Sequence, residues 1–453
     1  MSPLGRAAWL ACALSLSGCN LGEGGTDPTP ATLNFPIALA LSPAEGDAAP
    51  QLLYVLNSNF DLRFNDGTLM AFDLDTIAGT GDNEGMIADC TEDEPCTFED
   101  LSQVRLSEVG IGSHADGLAV SPGGRRIYIA SRARQNLTFV NSTDGQLECD
   151  QDDGEESEPV PSCSDVDAGD AIAMEREIEL DGDPVAVATG SLADIGGAAG
   201  SDESFVLLGL RDGNVALFID DEGATAMEPP ELVHVASAFP GLPANQVSVV
   251  TLTMQPGTGI GWLTNAFSAT IGRIGIAVDP VAADRSFLYD AGSVRLGGID
   301  TGDDTRDLQF DPASPEERAF ALTRRPEAVV ELDLTRMGLN AGDAAVDDLF
   351  DVGAGPSRLA VGTIGGRSYV LASTFDNRKI YVIDATAGAP VAVVGGFSGP
   401  FELVIDSARE LAYVTDFSLS VIRIVDLSPL TTGGAPFIRA TLGKPTPIET
   451  FTD

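Results

Sequence analysis

Charged side chains recur near the start of several short apolar segments in this chain of 453 residues. When three consecutive segments are aligned, Asp307, Arg358 and Glu402 fall at one position of the repeat. Other polar residues at or close to that position in neighbouring segments are His114, Asp116, Asp183 and Arg306. Two carboxylates beside a guanidinium can bind a polar ligand or a cation, and they can equally form an ion network between segments. We take all seven residues as candidate ligand-binding residues.

The sequence assigns no catalytic residue. Ser113, His114 and Asp116 have the residue types of a hydrolytic triad, but close neighbours on a strand point to opposite faces and cannot form a relay. The chain also contains no G-x-S-x-G, no H-E-x-x-H and no phosphate-binding P-loop motif. The sequence therefore favours a binding protein and leaves enzymatic activity open.

Two acidic inserts interrupt the apolar segments, at 82–100 and 148–170. Their carboxylates could bind Ca²⁺ through oxygen ligands, or they could simply be solvated. Asp150 begins a stretch that resembles a calcium loop, but Pro161 stands where such a loop needs its bidentate glutamate. With only two histidines, a histidine-rich metal centre is excluded. Ca²⁺ is therefore a candidate cofactor, and its ligands stay unassigned.

The apolar segments belong to an internal repeat of three strands. In its clearest copy the unit is an apolar strand, a turn, a strand centred on an aromatic residue, a polar turn and a third strand. The seven copies are 36–73, 114–145, 183–219, 250–279, 305–334, 355–384 and 399–427. Short segments rich in Val, Ile, Leu and aromatic residues, bounded by Gly, Pro, Asp or Asn, predict strands, and their repetition predicts an array of stacked units.

A fourth strand is predicted after each triplet, which completes a four-stranded antiparallel sheet. The candidate segments are 103–106, 174–180, 232–236, 293–296, 346–352, 391–394 and 437–442. Seven such sheets around one axis form an all-β fold, a seven-bladed β-propeller, over residues 35–443, followed by a tail at 444–453. Residues 31–35 could add an edge strand to the last blade.

The repeat resembles that of the YVTN/lactonase-like seven-bladed propellers. The matching residues are the block AVSPGGRRIYIAS at 119–131, the Tyr-Val steps that begin at Tyr54, Tyr369 and Tyr413, and strand ends such as Val-Ile-Asp at 382–384. The resemblance covers about residues 35–443 and implies the propeller fold. It says little about activity, because that family includes both binding proteins and enzymes.

The same resemblance supplies the alternative function. Calcium-dependent lactonase propellers place Glu, Asn and Asp side chains around one ion in the central channel. In this chain the carboxylates that could take this role are Asp116, Asp183, Asp307 and Glu402. A metal-dependent, lactonase-like hydrolase of small molecules is therefore the alternative to a non-enzymatic binding or scaffold module.

The N-terminus resembles a bacterial lipoprotein signal peptide. Residues 1–18 contain an apolar run at 7–16 that is too short to span a bilayer, and they end in Leu-Ser-Gly before Cys19. The resemblance implies cleavage before Cys19 and attachment of lipid to its thiol. The chain is then anchored in the bacterial cell envelope, and Asn20 favours the outer membrane. The Gly- and Pro-rich composition of 19–34 predicts a flexible tether.

Four further cysteines form two local pairs inside the acidic inserts. An oxidising compartment favours disulfide bonds between them, although free thiols are the alternative. Proximity in sequence favours Cys90 with Cys96 and Cys149 with Cys163 among the three formal pairings.

The charge of the chain restricts its partners. It carries 69 Asp and Glu against 25 Lys and Arg, a formal net charge of −44. This excess argues against nucleic-acid binding and disfavours adhesion of the protein surface to an anionic membrane. The expected partners are the membrane, through the lipid anchor, and an envelope protein or polysaccharide. We expect ligands at one mouth of the propeller channel and at the loops around it.

Overall fold

The computed structural model describes residues 26–43, 49–80, 84–149, 160–163, 176–198, 202–222, 228–296, 304–336 and 346–446. The predicted signal peptide, Cys19, most of the tail and much of insert 148–170 lie outside these residues. Within them the chain forms a seven-bladed β-propeller of mostly four-stranded antiparallel blades, as the repeat predicts.

The first three blades contain fourteen strands and the one α-helix of the described residues. Blade 1 consists of β1 (Pro36–Leu41), β2 (Leu52–Asn57), β3 (Gly67–Asp73) and β5 (Arg105–Ile111), and the connection between β3 and β5 contains α1 (Leu74–Ala78) and β4 (Cys96–Phe98). Blade 2 consists of β6 (Ala115–Val120), β7 (Arg126–Ser131), β8 (Asn136–Thr143), β9 (Gln146–Glu148) and β10 (Glu177–Glu179). The first three strands of blade 3 are β11 (Pro184–Ser191), β12 (Glu203–Leu210) and β13 (Asn214–Asp221).

The remaining strands complete blade 3 and form blades 4 to 7. They are β14 (Glu231–Ser237) of blade 3, then β15 (Val249–Gln255), β16 (Ile260–Asn265), β17 (Thr270–Ala277) and β18 (Phe287–Arg295) of blade 4. Blade 5 has β19 (Thr305–Phe310), β20 (Arg318–Arg324), β21 (Glu327–Asp333) and β22 (Val346–Asp351). Blade 6 has β23 (Pro356–Ile364), β24 (Arg367–Thr374), β25 (Lys379–Asp384) and β26 (Ala389–Val394). Blade 7 has β27 (Pro400–Asp406), β28 (Leu411–Asp416), β29 (Val421–Asp426) and β30 (Phe437–Leu442).

Short 3₁₀ helices occupy several of the connections. Their bounds are Ala193–Ile195, Ala244–Gln246, Ala283–Arg285, Leu334–Arg336, Phe417–Leu419 and Ser428–Thr432. Across the described ranges, no helix has both the length and the apolar character needed to cross a membrane.

The first strand of each blade lines the central channel, and the last lies at the outer edge. Each first strand contacts the first strands of the two neighbouring blades, and β27 contacts β1, so the ring is closed. Apolar side chains fill the space between adjacent blades, where large residues such as Trp262, Phe139 and Phe218 are fully buried. Burial on both faces explains the nearly continuous apolar character of the strands.

Tyrosines of the second strands bond neighbouring blades to each other. The hydroxyl of Tyr54 in blade 1 lies 2.8 Å from Ser142 Oγ in blade 2. The hydroxyl of Tyr128 in blade 2 donates to the Asp220 carboxylate in blade 3. Both tyrosines are fully buried, so a hydrogen-bond partner is needed to offset the lost hydration of each hydroxyl.

The insert of blade 1 adds a second link between the last and the first blade, one that the sequence does not predict. Residues 31–35 form no strand; instead β4, within the insert, pairs in parallel with β30 of blade 7. A disulfide bond joins Cys90 to Cys96 at the start of β4, and a second joins Cys149 to Cys163. Blade 7 thus gains a fifth strand from blade 1.

Candidate functional site

Every blade contributes two residues to one mouth of the channel by the same local geometry. In each blade the start of the first strand pairs with the end of the second, for example Thr305 with Thr323 in blade 5. Directly after that pair the register of the first strand shifts, which is a β-bulge, and this holds in all seven blades. A bulge re-aims the side chain that it contains. Two residues of each blade face the mouth. One is the bulged residue of the first strand, and the other directly follows the second-strand residue of that pair.

These positions form two rings of seven residues around the mouth, in order from blade 1 to blade 7. The bulged residues are Ile37, Asp116, Val185, Val250, Arg306, Ser357 and Phe401. The residues that follow the second strands are Ser58, Arg132, Arg211, Ala266, Arg324, Phe375 and Phe417. Arg358, next to Ser357 in the wider bulge of blade 6, also lines the mouth.

The mouth is a cavity of about 490 Å³ with an excess of positive charge. A cavity of this size suits a small molecule. Its arginines are Arg132, Arg211, Arg306, Arg324 and Arg358, and Asp116 supplies the one carboxylate among its described lining residues. Five of the 25 basic residues of a chain with net charge −44 are therefore gathered in one depression.

Four of the five arginines have a carboxylate partner. Arg132 lies 2.7 Å from Asp116, and Arg306 lies 2.6 Å from Asp304. Arg358 lies 3.3 Å from Glu402. Arg211 makes a loose contact of 3.9 Å with the half-exposed Asp183. Such pairs fix the direction of each guanidinium and leave donor groups for a further acceptor, since a guanidinium has five N–H groups.

Arg324 is the exception. Among the described residues its hydrogen bond goes to a backbone carbonyl, from Nε to the oxygen of Pro356 at 2.9 Å, and no carboxylate oxygen lies within 4.0 Å of it. Burial lowers the pKa of Arg324, and the like charges of Arg306 and Arg358 lower it further, against the opposing effects of Asp304 and Asp376. The positive charge at this point of the mouth is thus only partly compensated, and an anion would compensate it.

Ser58 adds an unsatisfied polar atom to the same cavity. Its side chain is 1% exposed, and its Oγ has no hydrogen-bond partner in the described structure. Ser58 lines the mouth from blade 1. Because a buried hydroxyl without a partner is costly, this atom also favours a polar ligand at the mouth.

The opposite side of the mouth is aromatic. Phe417 packs against Phe60 at 5.8 Å between ring centroids, against Phe401 at 6.2 Å and against Phe375 at 6.3 Å. These rings come from blades 6, 7 and 1, whereas the arginines come from blades 2, 3, 5 and 6. Arg358 marks the boundary, with its guanidinium 4.8 Å from the Phe401 ring centroid. The mouth is therefore amphipathic across its width.

Below the mouth the channel continues as a second cavity of about 390 Å³ in which acidic groups prevail. Its charged lining residues are Asp116, Asp307, Glu402 and Arg358. Burial raises the pKa of Glu402 from 4.5 to about 7, although Arg358 acts against this shift, and the negative charge of Asp307 adds to it. Burial also raises the pKa of Asp307 and of Asp116, against the attraction of Arg358 and Arg132 respectively.

Asp307 is held mainly by the backbone. Its carboxylate accepts N–H groups of Leu308 at 2.7 Å and Leu359 at 2.8 Å, and the side chain is 2% exposed. Leu359 belongs to blade 6, so this contact also joins two blades. Arg358 and Glu402 thus form an ion pair between blades 6 and 7, whereas Asp307 joins blades 5 and 6 through a backbone N–H group, and Arg358 also faces the mouth.

Of the remaining candidate residues, the structure places His114 at the mouth and Asp183 outside it. His114 has a left-handed backbone with φ of 55°, and Phe35 and Gly355 have the same conformation at the same point of their blades. The turn into the first strand therefore explains this conformation. The His114 ring packs edge-on against Phe60 at 5.8 Å. Asp183 accepts from Gln135 Nε2 at 3.1 Å and does not line either cavity.

The carboxylates expected for a channel metal do not converge on one point. Within the described ranges no group of three or more His, Cys, Asp or Glu side chains is arranged to hold a metal ion. Asp116, Asp183 and Glu402 instead each have their own arginine, and Asp307 has backbone donors. Asp150 and most of the acidic insert 148–170 lie outside the described residues.

The sequence patterns did not identify Arg132, Arg211, Arg324 and Ser58, or the aromatic half of the mouth. All four residues follow the paired end of a second strand, and so do Phe375 and Phe417. An alignment of second-strand ends, in addition to the first strands, would have placed these residues in one ring.

Solved structures with this fold are similar over most of the chain at low sequence identity. The β-propeller domain of Cps50 (Swd1) from Myceliophteria thermophila is 12% identical, with a TM-score of 0.52 over 87% of this chain and 97% of that chain. Hydrazine synthase from Kuenenia stuttgartiensis is 12% identical, with a TM-score of 0.52 over 89% of this chain and 99% of that chain. A candidate 6-phosphogluconolactonase from Bacteroides fragilis is 15% identical, with a TM-score of 0.49 over 78% of this chain and 82% of that chain.

At these identities the likeness shows the fold alone. No protein-family model matches the chain, and no curated protein sequence matches it. Membership of the YVTN/lactonase-like family therefore stays a prediction from the repeat.

Proposed function

We propose that this protein is a non-enzymatic binding module of the bacterial cell envelope whose channel mouth binds an amphipathic anion. The anionic group, a phosphate or carboxylate, contacts the arginines of blades 2, 3 and 5. The apolar part of the ligand packs on the phenylalanines of blades 6, 7 and 1. Lipid on Cys19 holds the propeller at the membrane, as the resemblance of the N-terminus to a lipoprotein signal implies.

One observation carries this proposal: Arg324 faces the cavity without a carboxylate partner in the described structure, beside Arg306. In a chain with 69 acidic residues, a nearby carboxylate would be the simplest way to balance this charge. Guanidinium groups bind phosphate and carboxylate through paired N–H donors, and such charge-assisted hydrogen bonds are stronger than neutral ones. The unsatisfied Ser58 hydroxyl supplies a further polar contact.

The contacts of the mouth residues favour binding over catalysis. Asp116 is engaged by Arg132, and His114 packs edge-on against Phe60. No hydrogen bond links His114 to a serine hydroxyl in the described part of the chain. Guanidinium, hydroxyl and phenyl groups can orient a ligand without reacting with it.

The test is calorimetric titration with two probes, inorganic phosphate and hexyl phosphate. We expect both to bind, and hexyl phosphate to bind more tightly because its chain covers the phenylalanines. Arg324→Gln should weaken both by about tenfold or more, as expected for loss of a charged hydrogen bond. The matched control is Arg336→Gln, an arginine half-exposed on the opposite face and paired with Asp333 and Asp347.

Two results would contradict the proposal. One is the absence of binding by either probe to the wild-type protein. The other is equal weakening by Arg324→Gln and Arg336→Gln, which would indicate a general charge effect.

The lipid anchor has its own test. Mass spectrometry of the mature protein from a bacterial host should find an acylated N-terminal Cys19, and Cys19→Ser should abolish both the modification and membrane fractionation. A mature N-terminus elsewhere, or an unmodified Cys19, would remove the anchor from the proposal without affecting the mouth.

A further inference from the structure

The first described residues of the chain run across the mouth face of the propeller. Thr26 pairs with Phe64 in the loop between β2 and β3, and its carbonyl accepts the Asn65 N–H at 3.0 Å. Farther along, Asn34 Nδ2 donates to Asn59 Oδ1 at 3.3 Å, in the same loop. The chain that precedes Thr26 therefore joins the propeller at this face.

Three large apolar side chains are exposed on the loops of this face. Phe60 is 55% exposed and Leu62 is 51% exposed, both in the loop that holds the N-terminal segment. Phe267 is 58% exposed, in the corresponding loop of blade 4, about half-way round the ring. Phe60 lines the mouth, whereas Leu62 and Phe267 lie outside the cavity. The three side chains thus lie on loops on two sides of the arginine-lined mouth.

A depression on the opposite face has the opposite charge to that of the arginine cavity. Between blades 3 and 4 a depression of about 480 Å³ is lined by Glu203, Asp220, Asp221, Glu228, Glu231 and Asp284. Strand direction places all six at the far end of the blades from the mouth. The arginine cavity therefore lies at one end of the propeller, and this acidic depression lies at the other.

We propose that the mouth face docks onto a bilayer that contains anionic phospholipid, and that a lipid phosphate enters the arginine cavity. This inference rests on the proposed anion site and names the source of its ligand. Exposed Phe and Leu side chains enter the interfacial region of the bilayer, while the arginines bind the head group. The acyl chains continue along the phenylalanine side of the mouth.

The entry point of the chain agrees with this orientation. Thr26 lies seven positions after the proposed lipid attachment at Cys19, and seven residues of fully extended chain reach at most about 24 Å. The tether therefore keeps the edge of blade 1 at the mouth face close to the membrane.

The net charge of −44 opposes approach of the protein to an anionic surface, but most of this repulsion comes from the charges on the face nearest the surface. At physiological ionic strength the screening length is about 8 Å, much less than the distance across the propeller. Repulsion from the acidic depression therefore turns that face away from the bilayer and favours docking through the mouth.

The test measures co-sedimentation with vesicles, using the chain from residue 19 with Cys19→Ser, which contains every described residue and no lipid. We expect binding to vesicles of phosphatidylcholine with phosphatidylglycerol, and little binding to phosphatidylcholine alone. Leu62→Ser combined with Phe267→Ser should lower the partition coefficient by about tenfold, since two apolar side chains no longer enter the interface. Val281→Ser is the matched control, because Val281 is 90% exposed on the opposite face and should leave binding unchanged.

Titration with inorganic phosphate separates this inference from the proposed function. The Leu62→Ser, Phe267→Ser variant should bind phosphate like the wild type, because both residues lie outside the cavity, and soluble glycerol 3-phosphate should compete with the vesicles. If the protein binds phosphate but not vesicles, the anion site stands and the membrane inference is wrong. The inference is also wrong if Val281→Ser lowers vesicle binding as much as the double variant, or if glycerol 3-phosphate does not compete.

Discussion

Replacement of Glu402 by glutamine should change how the stability of the propeller depends on pH. Glu402 lines the lower cavity, 19% exposed, and its Oε2 lies 3.3 Å from Arg358 Nε. Burial raises the pKa of its carboxyl group from 4.5 to about 7 in the native protein. Between these two values the folded chain retains a proton that the unfolded chain has lost. The stabilising effect of that proton is lost as the pH rises through this window.

The size of the effect follows from the two pKa values. A tenfold change in proton affinity corresponds to about 1.4 kcal/mol, so ionisation of Glu402 lowers the free energy of unfolding by about 3 kcal/mol in total. Most of this, about 2 kcal/mol or more, is lost between pH 5 and pH 8, a range that stays above the pI of about 4.1. Glu402→Gln also removes the attraction to Arg358, but a glutamine does not titrate, so the pH-dependent part isolates the carboxyl group.

The assay is urea unfolding of wild type and Glu402→Gln at several pH values from 5 to 8. Relative to wild type, the variant should gain about 2 kcal/mol or more in the free energy of unfolding across this range. Glu316→Gln, at an exposed position, serves as the control for the loss of one carboxyl group. Parallel curves for Glu402→Gln and wild type would refute the reasoning, because they would mean that the native carboxyl group titrates like that of the unfolded chain.

Three further predictions concern the closure and packing of the ring. Combined Cys90→Ser and Cys96→Ser should lower the free energy of unfolding by about 2 kcal/mol and increase hydrogen exchange in β30, because the disulfide that holds β4 in place is lost. Unchanged exchange in β30 would contradict a role of the disulfide in this strand pairing. Arg409→Ala should lower the free energy of unfolding, measured with urea, by about 3 kcal/mol or more. The reason is that this buried arginine of blade 7 donates to two backbone carbonyls of blade 1 and pairs with two carboxylates. A loss below about 1 kcal/mol would contradict this prediction. Gly362→Ala should lower the melting temperature, because the new Cβ would lie 2.7 Å from Ile405, and Ile405→Ala should restore part of the loss if this contact is the cause.

The fold could be predicted because each blade repeats the same local pattern. The first three strands of every blade lie where the apolar segments of the repeat place them, and the last outer strand was predicted at its observed bounds, Phe437–Leu442. Other outer strands were shifted: Arg105–Ile111 and Phe287–Arg295 extend beyond the predicted 103–106 and 293–296. Outer strands are half-exposed and alternate polar with apolar residues, so their sequence signal is weaker.

Strand β4 could not be predicted, because its pairing partner is remote in sequence. Cys96–Phe98 lies in the acidic insert of blade 1 and pairs with the outer strand of blade 7. Only three residues form the strand, too few for a periodic pattern.

The site was predicted only in part, because bulges break the alternation on which strand patterns depend. Adjacent residues of a regular strand point to opposite faces, so only one of Arg306 and Asp307 would be expected to face the channel. In the bulge of blade 5 both face it, Arg306 at the mouth and Asp307 at the lower cavity. The sequence could place Arg358 near the channel but could not show that no carboxylate among the described residues pairs with Arg324. That observation depends on the distances between blades.

The most direct test of the anion site is a crystal structure of the protein soaked with hexyl phosphate. We expect a phosphate group within hydrogen-bond distance of the Arg324 and Arg306 guanidinium groups, with the hexyl chain against Phe417. A mouth that stays empty in crystals while the probe binds elsewhere, or a phosphate held away from Arg324, would contradict the proposed site.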